Sequence, residues 1–173
     1  MSNINGKYLF STILIYFLLL NQPLLAQDES LYNTEFKLYE LNEVNYSILL
    51  PEFTKIEIYI YENYVIYYFL QIGLGLCFGN YSSLLREELW DEYDVKITTM
   101  KSIILNNNIY WDVYCQIAET DTGIIVFYFT ESIIEIKENS GWDKLIHIWI
   151  FNDTLQGIND SLSLFSTLKK INQ

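Results

Sequence analysis

The sequence predicts an α+β fold: an antiparallel sheet meander, with a helix after its first hairpin and a C-terminal amphipathic helix packed on the sheet. Three observations lead there. Residues 109–117 alternate strictly, with Ile109, Trp111, Val113, Cys115 and Ile117 on one side and Tyr110, Asp112, Tyr114 and Gln116 on the other. A period of two marks a strand with one buried and one wet or amphipathic face. Turn-forming clusters at Asn106-Asn107-Asn108, Thr120-Asp121-Thr122-Gly123 and Asn139-Ser140-Gly141 separate such patterns by connections too short for parallel crossovers. Finally, Leu155, Ile158, Leu162, Phe165, Leu168 and Ile171 recur at steps of three and four, the spacing of one helix face.

Taken in order, YSILLP (46–51) reads as a strand ending in proline. KIEIYIY, from Lys55, sets Ile56, Ile58 and Ile60 against Glu57, Tyr59 and Tyr61. Glu62-Asn63 makes a tight link to YVIYYFLQI, so residues 56–72 read as a hairpin. IGLGLCFGNYSS (72–83) then suggests a phosphate loop. Gly73, Gly75 and Gly79 miss the dinucleotide spacing, however, and Asn80 stands where a P-loop needs lysine. The remaining reading is a strand leaving the sheet, its glycines permitting unusual backbone angles while Leu74, Leu76 and Phe78 fill the core. SSLLREELWDEY (82–93) has a serine N-cap and Leu85, Leu89 and Tyr93 on one stripe, predicting a helix. IIVFYF (124–129), SIIEIKE (132–138) and KLIHIWIF (144–151) continue the meander. In the last helix Asp153 is the expected cap with Gln156 three residues on, and Lys169-Lys170 lie near its negative end. Gly157 costs about 1 kcal/mol there. Six large apolar side chains at roughly 1.5–3 kcal/mol each outweigh it. Trp-Asp pairs at 90, 111 and 142 are spaced 21 and 31 apart, too short and uneven for propeller blades.

The order strand-Pro, hairpin, helix, meander and terminal helix over residues 36–171 resembles the PsbP-like α/β/α sandwich domains of small exported bacterial proteins. The resemblance lies in element order, without a diagnostic motif. It implies a sheet covered on both faces and an accessory or binding role, and it carries over no functional residue.

The N-terminus orders Lys7, an apolar run from Tyr8 to Leu20, a break at Asn21-Gln22-Pro23, and Leu24-Leu25-Ala26 before Gln27-Asp28-Glu29. That is the layout of a secretory signal, shorter than the ~20 apolar residues that span a bilayer. Cleavage is expected between Ala26 and Gln27, giving a signal peptide over 1–26 and a single α+β domain over 27–173. The membrane is then met only through the signal before cleavage, and the destination is the periplasm or the exterior. The chain carries −12, and removing one Lys and no acid takes it to −12 − 1 = −13. Such acidity repels nucleic-acid phosphates and anionic lipid surfaces and suits a basic protein partner. At 51% hydrophobic and 17% aromatic, the composition is ample for a packed core.

The side chains offer little catalytic chemistry. Cys77 and Cys115, the only cysteines, invite a disulfide in an oxidising compartment; the alternative is two buried thiols. A bridge closing that loop would add ~3–4 kcal/mol. His147, the sole histidine, stands in a strand beside Leu145 and Trp149 and reads as a hydrogen-bonded core residue, since no G-x-S-x-G accompanies it. Glu87, Glu88, Asp91 and Glu92 gather on one helix, whereas paired glycosidase carboxylates flank a cleft. Asp91-Glu92-Asp94 lacks calcium-loop spacing. No cofactor or metal site is expected. Among the strand tyrosines, Tyr110 and Tyr114 flank Asp112 opposite Trp111, a candidate binding surface unless a helix covers it. The expectation is a non-catalytic accessory or binding protein with an acidic, aromatic-rich surface. Its competitors are an immunity protein neutralising a basic toxin and an envelope hydrolase using Glu87 and Glu88.

Overall fold

The computed structural model describes residues 34–79, 96–120, 123–136 and 144–171, and backbone pairing arranges these described residues into two antiparallel sheets and one α-helix. The smaller sheet joins β1 (Phe36–Leu41), β2 (Tyr46–Pro51) and the two-residue β10 (Lys169–Lys170), with β2 central. The larger holds β3 (Ile56–Ile60), β4 (Tyr64–Phe69), β5 (Leu74–Gly79), β6 (Lys96–Asn106), β7 (Ile109–Thr120), β8 (Gly123–Glu135) and β9 (Leu145–Asn152). Its order is β3-β4-β5-β9-β8-β7-β6, two meanders meeting at β5 and β9. Helix α1 spans Leu155–Phe165. The α+β class and the antiparallel pairing are as expected. The smaller sheet is an addition, because β1 and β10 carry no clean alternation.

Several details depart from the expectations. Residues 74–79 do not leave the sheet: β5 is an interior strand and all six of its residues are buried. A strand covered on both faces shows an apolar run instead of an alternation, which hides it from a period-two search. The element after the first hairpin is therefore a strand; the helix expected at 82–93 lies outside the described residues. The patterns at 124–129 and 132–138 are one strand, β8, continuous through Thr130 and Glu131. Both polar side chains stay in the sheet because they find partners there: the Thr130 hydroxyl donates to the Asp112 carbonyl at 2.8 Å, and Glu131 meets His147.

Thr154, not Asp153, caps α1, its Oγ1 accepting from the Gly157 amide at 3.0 Å. Asn152 Oδ1 steadies that cap by accepting from both the Thr154 amide and hydroxyl. A Cβ on residue 157 would lie 2.0 Å from this same oxygen, which explains a glycine inside the helix. The helix ends at Phe165, so Lys169 and Lys170 belong to β10 and do not compensate a helix end.

The main core lies between the sheets. Leu41, Tyr46, Ile48 and Leu50 face Tyr67, Phe69, Leu74, Leu76, Phe78, Ile148 and Ile150 of the larger sheet, with Ile158 and Leu162 of α1 closing the side. The buried Ser161 hydroxyl donates to the Ile72 carbonyl at 2.6 Å, fixing α1 to the β4–β5 connection.

Candidate functional site

On the other face of the larger sheet, Ile66, Tyr68, Cys77, Phe129, Trp149 and Phe151 form a second buried cluster. The expected core histidine lies here. His147 Nε2 approaches Glu131 Oε2 at 3.2 Å, with the two side chains 1% and 6% exposed, and its ring lies 5.1 Å from that of Trp149. In the β5–β9 register, Cys77 stands directly opposite His147. A cysteine beside a histidine is a nucleophile only as the thiolate. Burial pushes the Cys77 thiol up to about 12, so the sulfur stays protonated and inert. Among the described residues, no group of three His, Cys, Asp or Glu is placed to hold a metal ion.

The disulfide considered between Cys77 and Cys115 is excluded by topology. Both are buried free thiols. Strands β9 and β8 separate β5 from β7, a lateral distance of roughly 14 Å at the usual strand spacing. Cys77 aligns through His147 with Ile133, whereas Cys115 aligns with Tyr128, so the two also differ in level and point to opposite faces. A bridge requires Cα atoms within about 7 Å. Denatured protein without reductant should therefore titrate two thiols, and a count of zero would contradict the fold. The raised Cys77 value also sets a pH dependence. The folded chain keeps this proton where the unfolded chain, at the ordinary 9.0, releases it. That stabilisation is complete below pH 9 and declines toward pH 12. Its slope is about 1.4 kcal/mol per pH unit. Cys77→Ala should remove this component from the stability–pH profile; an unchanged slope would contradict it.

The candidate surface residues lie on β7, at the other end of the sheet. Tyr110, Asp112 and Tyr114 share one face, as their alternation predicts, and Tyr110 is 75% exposed, so among the described residues nothing covers the surface at that point. The register of β6 adds residues that the alternation of β7 does not reveal. Asn107 and Asn108, at φ 47° and 62°, form the two-residue turn whose left-handed geometry suits a hairpin. It places Leu105 opposite Tyr110, Ile103 opposite Asp112 and Lys101 opposite Tyr114. Ile103 and Leu105 are 63% and 56% exposed, so with Tyr110 they give the ribbon an apolar face, while the half-buried Tyr114 packs against the second cluster. Lys101 Nζ bonds Asp112 at 2.7 Å and lies 5.9 Å from the Tyr114 ring. The Asn106 side chain donates to the Asn159 carbonyl, Asn159 Oδ1 and Ser163 Oγ at 3.3, 3.0 and 3.1 Å. These bonds hold the ribbon tip against α1.

Most exposed glutamates among the described residues lie elsewhere. Glu35, Glu40, Glu43, Glu52, Glu57 and Glu62 are all exposed, within β1 to β3 and their connections. Exposed aromatics share this part of the chain, since Phe36, Phe53 and Tyr61 are exposed there too. Glu87 and Glu88 of the hydrolase reading, and Ala26 and Gln27 of the cleavage bond, lie outside the described residues.

No protein-family model matches the chain, and no curated protein matches it.

Proposed function

We propose that this is an exported, non-catalytic accessory or binding protein, whose contact surface is the β6–β7 ribbon. The observation carrying the reading is that Ile103, Leu105 and Tyr110 stand exposed in cross-strand register on a ribbon fixed at its tip. Interfaces favour large apolar and aromatic side chains with a polar rim, on surfaces that need little ordering. Lys101 and Asp112 supply the rim. The buried thiol and the inward His147–Glu131 pair offer substrates no accessible nucleophile, in line with a binding role. Export rests on the N-terminal layout of charge, apolar run and small residue.

Envelope extract passed over immobilised protein tests the surface. Wild type should retain one stoichiometric partner, and the double variant Leu105→Asp, Tyr110→Ala should bind it at least tenfold more weakly, since central interface side chains each contribute about 2 kcal/mol or more. Undiminished capture by the variant would remove the ribbon from the interface. The six glutamates exposed in and beside β1 to β3 favour a second reading, an immunity protein docking a basic toxin. In that case Glu52→Gln with Glu57→Gln would abolish capture and the ribbon variant would not.

A further inference from the structure

β6 ends the larger sheet, and among the described residues nothing pairs with its outer side. The two-residue turn fixes which backbone groups point there. In such a hairpin the flanking pair, Asn106 and Ile109, exchanges both backbone bonds, and bonding then alternates along the strand. Asn106, Ile104 and Ser102 therefore bond to β7, while Leu105, Ile103, Lys101 and Thr99 turn their N–H and C=O groups to the free edge. The opposite strand agrees: the Asp112 carbonyl, level with Ile103, accepts from Thr130 on β8 and so points away from β6.

Proteins usually block such an edge with a lysine, whose solvated charge repels a docking strand. Lys101 occupies that place, but its ammonium is drawn 2.7 Å from Asp112 across the ribbon, leaving the strand edge open. Strand β6 itself holds no acid, whereas the other described edge of this sheet, β3, carries the exposed Glu57, and Asp112 beside β6 is paired with Lys101, so two copies meet along β6 with less repulsion between carboxylates than along β3.

We propose that a second copy of the chain pairs antiparallel along β6, about a two-fold axis centred on Ile103. This register sets Ile103 against its own copy, a favourable β-branched pair. It sets Leu105 against the second copy's Lys101, keeping the two lysines apart; a register centred on Lys101 would oppose them. A two-fold contact closes on itself, whereas pairing β6 with the free edge of β3 would leave open edges and build filaments. The two ribbon faces then join into one surface, with Tyr110 of each copy toward its ends. Dimerisation of this kind is independent of the binding role proposed above, and its test needs no partner.

Sedimentation of the purified chain over a concentration series should give twice the mass of one chain. Ile103→Pro removes only an outward N–H, leaves the β6–β7 bonds in place and should give single chains with an unchanged near-ultraviolet circular dichroism spectrum. Ile103→Cys should cross-link to itself on mild oxidation, because paired Cα atoms about 5.5 Å apart suit a disulfide. Ile58→Cys, exposed on the β3 edge, should not. A wild-type monomer throughout the series overturns the proposal. So does a dimer in which Ile103→Cys fails to cross-link.

Discussion

Replacing Gly75 with valine should lower stability by about 3 kcal/mol or more, enough to unfold a marginal domain. Gly75 pairs with Trp149 across β5 and β9, and the indole occupies the space a side chain would fill. A Cβ at residue 75 would stand 2.1 Å from Trp149 Cε2, 2.3 Å from Nε1 and 2.5 Å from Cζ2, whereas apolar carbons pack at ~3.5–4.0 Å. The ring has nowhere to go. Tyr68 meets it edge-on at 5.5 Å, His147 packs beside it, and it is 2% exposed. Even Gly75→Ala should cost ~1–3 kcal/mol, read from denaturant midpoints. Trp149→Ala alone should cost ~3–5 kcal/mol by opening a cavity. In the Trp149→Ala background, Gly75→Ala should then cost almost nothing, because the two residues share one space. Additive losses would contradict this packing.

The second large effect concerns Glu131. Removing one partner of a buried ion-pair-type contact costs roughly 3–5 kcal/mol, chiefly through the polar group left behind. Glu131→Ala takes from His147 Nε2 an acceptor at 3.2 Å, in a cluster where both side chains are almost fully enclosed. Glu131→Gln keeps an acceptor and should lose about half as much. Asp112→Ala provides the contrast. Its bond to Lys101 is the shorter at 2.7 Å, yet the side chains are 49% and 51% exposed, and such pairs contribute about 0–1 kcal/mol. Burial, not distance, decides between them. Equal losses for Glu131→Ala and Asp112→Ala would show that the histidine cluster is wetter than its packing implies.

How legible these features are in the sequence depends on where each residue sits. Strand β7 is half-covered, so Trp111, Val113 and Cys115 alternate with exposed or half-buried partners, and sequence alone places them on the correct face. Even there Gln116, on the side expected to be wet, is 2% exposed. The β3–β4 hairpin is equally plain, although Ile58 and Ile60 lie exposed because β3 is an edge. Strand β5 is hidden because both its faces are covered, which removes the polar half of the pattern and leaves a run that imitates a loop. Gly75 serves packing, a use visible only once Trp149 is seen opposite. The continuity of β8 through Thr130 and Glu131 depends on partners distant in the chain, Asp112 and His147. Half of the candidate surface is readable from Tyr110, Asp112 and Tyr114. Ile103 and Leu105 require a register, and the signal for it is present: a two-residue Asn-Asn turn dictates every pair in β6–β7.

Site-specific photo-cross-linking in living cells tests the ribbon most directly. A photoreactive residue in place of Tyr110 should form one defined adduct with a different protein, while the same residue at Ile60, 66% exposed on the opposite edge, should form none. An adduct confined to residue 60, or none at residue 110, would contradict the β6–β7 ribbon as the contact surface.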